Sequence, residues 1–514
     1  MTSAAEIAAK FDAVAITSRP LIIDAHCHTF NASDLSKEGF VREVLLDSDE
    51  KIILKLLEPF VVFLVGLIAT APGYQEELDH LDARNASRAL RARAAHLQAH
   101  VDERAAIDRE HWANVERELK RISTSSNGQE RALFAAITNE VHPGGLRAFA
   151  TSANVGSAEV LTSRLAFSGG AFSRYIRWVG RLKYYRADII AELIDTYGGT
   201  ADGVRLFTPA LVDFEFWLND APETNFTEQI ELGSRLSRAF PGRVHFFVPF
   251  DPWREVAHAP NEPGSLELVK KAITQDGFVG VKLYPPMGFA ASGNAGLDFS
   301  AVDVEDSAAF GAQLDATLDA LFTWAVEADV PIMAHCNLSE ESKRGFACRA
   351  SPAYWATAIA HHPGLRLNLG HFGGQDNLGP GGVNDAADWP ETIIALMGTE
   401  KGRHLYTDIG NFDMGDMPWF ARLKTALQDT PVLLDRLMYG SDWMMLATSD
   451  RYEDFFTRFR DGLTSLGTLD DAQIASILGG NARSFLGLES GGQTRARLVA
   501  FYDGYGIARP DWLG

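Results

Sequence analysis

Cysteine is scarce in this chain of 514 residues. Its three cysteines, Cys27, Cys336 and Cys348, are too few for the disulfide framework of a small secreted protein, and they fit a reducing compartment. Residues 1–20 also lack a basic segment followed by an apolar one, so we expect no secretory signal. Both features favour a cytoplasmic protein.

Basic side chains are outnumbered by acidic ones. The chain has 47 lysines and arginines against 68 aspartates and glutamates, which gives a formal net charge of −21. Nucleic acid and anionic membrane surfaces need a basic face for binding, so neither is expected as a partner. We expect a small-molecule substrate as the partner, and a homo-oligomer remains open.

Long hydrophobic runs are also missing. The most apolar stretch lies between Pro59 and Pro72, and it falls well short of the roughly 20 residues that cross a bilayer. We interpret it as a buried helix in preference to a peripheral membrane contact, and we expect no integral membrane segment. The 46% hydrophobic content is ample for a large core. This length fits two or three domain-sized units, or one barrel that carries an insertion.

A single predicted strand, Leu21–His28, is followed by about 170 residues without a strand pattern. Residues 76–122 carry two apolar stripes at helical spacing, and further helices are predicted over 129–141 and Phe172–Tyr197. Residues 31–199 are therefore predicted to form a mainly helical insertion after the first strand, serving as a lid or an interaction subdomain.

From residue 203 onward, short apolar strands alternate with predicted helices, which is typical of a parallel sheet. Eight strands separated by helices predict a (β/α)₈ TIM barrel of class α/β, built from residues 1–30 and 200–488 and followed by a C-terminal tail over 489–514. An open doubly wound sheet is the alternative, but no Gly-x-Gly-x-x-Gly turn follows any of these strands. The predicted strands are Leu21–His28, Val204–Val212, Val244–Phe250, Phe278–Tyr284, Val330–His335, Leu365–His371, His404–Ile409 and Arg436–Ser441.

Metal-binding residue types stand at the ends of several predicted strands. His26 and His28 lie two residues apart, so a strand points both imidazoles to one face. His335, His371 and Asp442 end later strands, and the carboxyl ends of barrel strands converge on one mouth. Imidazoles with a carboxylate suit Zn²⁺, with Mn²⁺ or Fe²⁺ as further candidates. The sequence therefore predicts a metal site at the mouth.

The fourth predicted strand carries one lysine, Lys282, among apolar residues. An isolated ammonium is costly to bury, so this lysine must be paired, chemically modified or solvated by the barrel mouth. Gly280, two residues before Lys282, lies on the same face of the strand and leaves room near the lysine side chain.

These motifs, taken together and in order, resemble the amidohydrolase superfamily, and in particular its amidohydrolase-related branch of metal-dependent hydrolases and non-oxidative decarboxylases. The resemblance covers residues 21–30 and about 203–488, and the insertion has no counterpart in the minimal barrel. The residues that carry it are Asp24 to His28, Gly280 to Pro286, His335, Gly370-His371, Tyr439 to Trp443, and Gly480 to Leu488.

The resemblance implies roles for these residues. His26, His28, His335 and Asp442 would bind one metal. His371 would bind a second metal or serve as an acid or base. Lys282 would be a carboxylated bridge between two metals or an ordinary cation. One or two zinc ions remain open.

The first hypothesis for the activity is hydrolysis of a small-molecule amide, lactone, ester or activated C–C bond by metal-activated water. In this mechanism Asp442 transfers the proton. Decarboxylation of a small carboxylic acid, with His371 handling the proton, is the second hypothesis. A catalytically silent barrel with an interaction role is the least favoured, because every expected ligand is present.

Overall fold

The computed structural model describes residues 20–37, 71–86, 177–258, 263–339, 341–378, 385–413, 418–449 and 451–514, with scattered positions between 106 and 124. The helix predicted over 129–141 lies outside the described residues. So do most of the apolar run at 59–72 and most of the two stripes in 76–122.

Each predicted strand has a counterpart among the described residues, and neighbouring strands pair in parallel. The strands are shorter than their apolar runs, because only part of each run pairs with its neighbours. Their bounds are β1 Ile23–Cys27, β2 Leu206–Pro209, β3 Phe247–Pro249, β4 Gly280–Leu283, β5 Ile332–His335, β6 Leu367–Gly370, β7 Leu405–Asp408 and β8 Leu437–Met438.

Backbone hydrogen bonds join the β1–β2 pair to the six-stranded sheet from β3 to β8. Between β8 and β1, the Ala25 amide donates to the Tyr439 carbonyl at 3.1 Å. Between β2 and β3, the Leu211 amide donates to the Phe247 carbonyl at 3.1 Å, and Phe207 bridges to Val244. The eight strands thus form a (β/α)₈ barrel, which confirms the predicted fold class.

Helices alternate with the strands, as the sequence predicts for a parallel sheet. The helix bounds are α1 Tyr74–Ala86, α2 Arg186–Gly198, α3 Glu215–Leu218, α4 Phe226–Ala239, α5 Pro252–Ala257, α6 Ser265–Gln275, α7 Ser307–Glu327, α8 Pro352–His361, α9 Trp389–Met397, α10 Pro418–Asp429, α11 Phe455–Ser465, α12 Asp471–Ala475, α13 Asn481–Leu486 and α14 Gln493–Gly504.

The continuous helix predicted over Phe172–Tyr197 is wrong in one respect. In its described part, a first helical piece ends at Arg181 and α2 begins at Arg186. The Glu77 carboxylate accepts hydrogen bonds from the amides of Arg186 and Ala187, at 2.7 and 3.0 Å. This carboxylate caps α2 from a distant part of the sequence. Local periodicity therefore gave no sign of the break.

A buried ion network joins α1 and α2 to the segment after β1. The Arg186 guanidinium donates to both Asp34 oxygens at 2.8 and 2.6 Å, and it lies 3.4 Å from Glu77. All three side chains are almost fully buried. Burial raises the pKa of Glu77 despite the charge of Arg186, so the network depends on the arginine remaining in place.

The segment after residue 488 packs against the amino ends of the strands. Leu498, Phe501 and Tyr502 form one apolar cluster with strand residues such as Ile23 and Phe247. The stretch that the sequence predicts as a tail therefore contains α14 and covers the barrel at the end opposite the predicted mouth. None of the described helices combines the length and apolarity needed to cross a membrane.

Candidate metal centre

Two histidines and one aspartate converge where β1 and β8 end. The Nε2 atoms of His26 and His28 lie 3.7 and 3.2 Å from Asp442 Oδ1. All three side chains are buried, and one ligand atom from each lies within 4.8 Å of the others. The structure therefore brings together three of the residues that the sequence predicts as ligands.

Hydrogen bonds on the far side of each ring orient these imidazoles. His28 Nδ1 donates to the Ala210 carbonyl at 2.8 Å, and His26 Nδ1 lies 3.0 Å from an oxygen of Asp408. A ring nitrogen that donates leaves its partner nitrogen with a free lone pair. Both Nε2 lone pairs are therefore available on the Asp442 side.

The spacing of these atoms fits a shared metal. Two ligand atoms bound to a tetrahedral zinc, each about 2.1 Å from it, lie about 3.4 Å apart. The distances of His26 and His28 to Asp442, 3.7 and 3.2 Å, lie on either side of that value. The donor set of two imidazoles and one carboxylate also matches the ligands that zinc prefers.

His335 and His371 form a second pair beside the first. His371 Nε2 lies 3.0 Å from His335 Nδ1, while the opposite nitrogens contact the carbonyls of Gly410 at 2.9 Å and Asn337 at 3.1 Å. His335 Nε2 and His371 Nδ1 donate to these carbonyls, so the lone pairs of His335 Nδ1 and His371 Nε2 face each other. A proton or a cation between the two nitrogens would remove the repulsion between these lone pairs. His335 contacts His371 here, and it is absent from the three-residue group around Asp442.

Burial keeps part of the site in the state that binds metal. It lowers the pKa of His26 to about 4 and the pKa of His335 well below its ordinary value. Burial opposes ionisation of Asp442, but the close contact with His28 and the nearby histidines lower its pKa to about 2. The neutral imidazole of His26 therefore stands beside a charged carboxylate at neutral pH.

Lys282 lies inside this constellation. Its Nζ is 3.1 Å from His26 Nε2, and the side chain is 1% exposed. Burial lowers its pKa to about 8, against the attraction of Asp442 and Asp408. Of the three possibilities that the sequence leaves open for this lysine, the contact with His26 corresponds to pairing. Loss of its proton near pH 8 would leave a neutral amine.

Asp408, the last residue of β7, also lies at this site, although no sequence motif marks it. Its carboxylate contacts His26, and it forms a second three-residue group with His26 and His371. The signal that the sequence offers for Asp408 is its place at the end of an apolar strand. Asp408 lies two residues after Tyr406, so the two side chains point to the same face of that strand.

Aromatic side chains border the histidines at the mouth. The Tyr284 ring lies 4.6 Å from the His335 ring and 5.1 Å from the Phe214 ring, measured between centroids. On the other side, the Arg181 guanidinium lies 5.3 Å from the centre of the Trp443 ring, next to Asp442. One described part of the predicted insertion thus packs against the residue that follows Asp442.

A family model described as "Amidohydrolase" matches residues 239–488, which include β3 to β8. Over residues 239–488 this chain belongs to the amidohydrolase superfamily. The matched segment contains Lys282, His335, His371, Asp408 and Asp442, while the two histidines of β1 lie before it. As a member of this superfamily the protein is an enzyme.

Solved structures of amidohydrolase type resemble this amidohydrolase at low identity. An amidohydrolase from Burkholderia multivorans with bound HEPES is 15% identical, covers 63% of this chain and 94% of its own, and has a TM-score of 0.40. A 2,6-dihydroxybenzoate decarboxylase is 15% identical over the same shares, at a TM-score of 0.39. A 5-carboxyvanillate decarboxylase from Novosphingobium aromaticivorans with bound manganese is 16% identical. The match covers 68% of this chain and 94% of the decarboxylase, with a TM-score of 0.38. At these TM-scores the likeness says nothing about substrate or reaction. No curated protein matches the chain.

Proposed function

We propose that this amidohydrolase is a metal-dependent hydrolase whose centre is held by His26, His28 and Asp442. The observation that carries the proposal is the convergence of the Nε2 atoms of His26 and His28 on one carboxylate oxygen of Asp442, at 3.7 and 3.2 Å. Zinc suits this donor set best, and manganese or iron(II) are the alternatives. The proposed substrate is a small molecule with an amide, lactone, ester or activated C–C bond.

In this proposal the chain's own residues hold the reactants and move the proton. A bound divalent metal would supply a water of lowered pKa and a Lewis acid for the scissile carbonyl. Asp442, contacting both histidines through Oδ1, keeps its second oxygen as a base for the proton of the attacking water. His26 and His28 present their Nε2 lone pairs beside that carboxylate, so a shared cation would hold the three side chains together.

His335 and His371 are proposed to complete the centre. At 3.0 Å, Nδ1 of one ring and Nε2 of the other can share one proton or contribute lone pairs to a cation. We assign His335 as a further ligand and His371 as an acid that protonates the leaving group. The Gly410 carbonyl fixes the His371 ring through its Nδ1 atom.

The number of metals depends on Lys282. Its amine, neutral above a pKa of about 8, is the form that could react with CO₂ to give a carboxylated bridge between two metals. Intact-mass measurement under native conditions tests this point. Added mass equal to one CO₂, absent in Lys282→Met, would favour two metals, whereas an unmodified chain would favour one.

Decarboxylation is the second candidate, and Lys282 is the observation that favours it. An ammonium 3.1 Å from His26 Nε2 could pair with a substrate carboxylate, and the His335–His371 pair could deliver a proton to the carbon that loses CO₂. Release of CO₂ from aromatic and unsaturated carboxylic acids, compared with hydrolysis of lactones, amides and esters, separates the two reactions.

Metal analysis tests the proposal directly. The purified protein, incubated with zinc at neutral pH and desalted, should retain at least about one metal equivalent, and a double variant His26→Ala/His28→Ala should retain under about 0.2. His361→Ala, a surface histidine variant, is the matched control and should bind like the unaltered protein. Equal zinc content in all three proteins would refute the proposed centre.

A further inference from the structure

Asp408 collects hydrogen bonds from three neighbouring segments. Its Oδ1 accepts from the backbone amides of His371 at 3.1 Å and Gly410 at 2.8 Å. Its Oδ2 accepts from Asn368 Nδ2 at 2.7 Å. His26 Nδ1 lies 3.1 and 3.0 Å from the two oxygens. The carboxylate is fully buried, so these protein groups replace water around it.

These contacts occupy the carboxylate. An ionised carboxyl group offers about four lone-pair sites, and His26, His371, Gly410 and Asn368 supply four separate donors. Little capacity remains for a metal or for a transferred proton. The closeness of Asp408 to His26 and His371 is therefore explained by hydrogen bonding, without a cation between them.

The contact with His26 fixes the tautomer of that histidine. Since the carboxylate accepts from Nδ1, the proton lies on Nδ1 and the Nε2 lone pair points toward Asp442 and Lys282. With the opposite tautomer, Nε2 would carry a proton and could not bind a metal, and a bare Nδ1 would face a negative charge. Asp408 disfavours that tautomer, because its negative charge repels a bare Nδ1 lone pair.

The same carboxylate holds the backbone at the ends of β6 and β7. His371 has a φ of 64°, a left-handed conformation that is uncommon for a residue with a side chain. Its amide donates to Asp408 Oδ1, and its Nδ1 donates to the carbonyl of Gly410, whose amide also donates to Oδ1. Asp408 therefore stabilises a strained backbone that presents the His371 ring to His335.

We propose that Asp408 is a positioning residue, which sets the tautomer of His26 and the placement of His371, and that it is neither a metal ligand nor a proton carrier. The expected consequence of this role is tighter metal binding, and that consequence rests on the proposed metal centre. Carboxylates that orient ligating histidines raise metal affinity by about 10- to 100-fold in other metal sites.

Asp408→Asn is the informative variant. Among the described residues, Asn368 Oδ1 has no hydrogen-bond partner. If the Asn368 amide turns over, this oxygen can accept from the new NH₂ group at position 408, while the remaining oxygen still accepts from the amides of His371 and Gly410. The substitution thus removes the charge with little change in shape.

Two readouts test the inference. The first is zinc affinity, measured by competition with a chromophoric chelator, which should weaken by about 10- to 100-fold in Asp408→Asn. The second is the His26 tautomer in metal-free protein labelled with ¹⁵N-histidine. Long-range ¹H–¹⁵N spectra should show the proton on Nδ1 in the unaltered chain and a mixture in the variant.

Asp251→Asn is the matched control. Asp251 is also a buried carboxylate at a strand end, but it accepts from the Trp217 side chain at 2.8 Å and the Trp253 amide at 2.9 Å, away from the centre. Its zinc affinity should match that of the unaltered protein. An equal loss in Asp251→Asn would attribute the effect to general destabilisation and overturn the inference.

The remaining outcomes separate this inference from the proposed function. If the unaltered protein binds no zinc, the metal centre fails, and the tautomer spectrum still tests Asp408. If zinc binds but Asp408→Asn changes neither affinity nor tautomer, the positioning role is wrong. If zinc binding in the variant is abolished as in His26→Ala/His28→Ala, Asp408 is a ligand. If Asp408→Asn does not fold, the tautomer spectrum of the unaltered protein still tests the inference. A spectrum that shows the His26 proton mainly on Nε2 would refute it.

Discussion

At the scale of single residues, the chemistry of this centre depends on which imidazole nitrogen carries a proton. Main-chain carbonyls set this choice for three histidines, because Ala210, Gly410 and Asn337 accept from His28, His371 and His335. Only His26 uses a carboxylate in the described part of the site, through Asp408. Ala210, Gly410 and Asp408 lie far in sequence from their histidines, and Asn337, two residues after His335, accepts through a main-chain carbonyl that no motif marks. The sequence therefore predicts the ligands but not their orientation.

Asp442 is expected to move the proton as well as bind the metal. Asp442→Asn keeps the size and one coordinating oxygen but removes the basic one, so metal should largely remain while turnover falls by about 10² or more. The assay is kcat on a substrate identified by screening lactones, amides and esters, with metal content measured in parallel.

His28→Ala serves as the comparison for Asp442→Asn and should lose metal and turnover together. An Asp442→Asn protein that retains metal and near-normal kcat would transfer the proton-transfer role to another residue, with His371 as the first candidate.

His245 predicts a pH dependence of stability that is independent of the metal centre. Burial between the Gly277 carbonyl and the Tyr502 hydroxyl lowers the pKa of His245 to about 4. Because the unfolded chain takes up a proton near pH 6.5 and the folded chain does not, this residue reduces stability as pH falls from about 6.5 to about 4. The contribution is up to about 3 kcal/mol.

The contribution of His245 to the free energy of unfolding is measured by urea unfolding of His245→Gln and of the unaltered chain between pH 8 and pH 4. The variant is less stable at pH 8, since it loses the fitted ring, but the difference should shrink toward pH 4. A difference that stays constant with pH would contradict the assigned pKa.

At the scale of elements, the strands and most helices were predictable, and the reason is physical. Strands buried on both faces appear as short continuous apolar runs, and the amphipathic helices between them follow a 3.6-residue period. The start of α2 was not predictable, because its cap is Glu77, more than 100 residues earlier. Asp408 was missed because a single strand-end aspartate carries no motif.

The last helix of the predicted insertion belongs, we propose, to the barrel. The helix α2 ends at Gly198, eight residues before β2, and its Ile189, Ile190 and Leu193 are fully buried in the main core. This arrangement suits the crossover helix that a parallel β1–β2 pair requires. The insertion proper would then end before Arg186.

Arg186 is expected to hold this arrangement together. Arg186→Met leaves the carboxylates of Asp34 and Glu77 buried without their cation, and removing one partner of a buried ion pair costs about 3–5 kcal/mol. Chemical denaturation should show a loss of this size. Arg460→Met breaks a surface pair with Asp461 and should cost about 1 kcal/mol or less. Similar losses in both variants would contradict the importance given to the buried network.

At the scale of the whole molecule, the two ends of the barrel have different tasks. The C-terminal segment with α14 packs on the amino ends of the strands, while the histidines and Asp442 lie at the carboxyl ends. This division matches the general design of TIM barrels, in which one face supports stability and the other carries the chemistry.

Whether the insertion covers the mouth and limits substrate size stays a prediction. Arg181 is the described residue that best tests it, because its guanidinium lies against Trp443 and donates to the Tyr452 hydroxyl at 2.6 Å. Arg181→Ala should ease entry of larger substrates and lower KM for long-chain esters more than for short ones. Equal changes for both chain lengths would oppose a role in size selection.

The central claim is that His26, His28 and Asp442 hold a divalent metal, and anomalous diffraction from crystals grown with zinc tests it most directly. The account predicts a peak at the zinc edge about 2.0–2.2 Å from His26 Nε2, His28 Nε2 and an oxygen of Asp442. A second peak within reach of Lys282 would establish two metals. Zinc located elsewhere, or no peak in crystals of protein that binds zinc in solution, would contradict the claim.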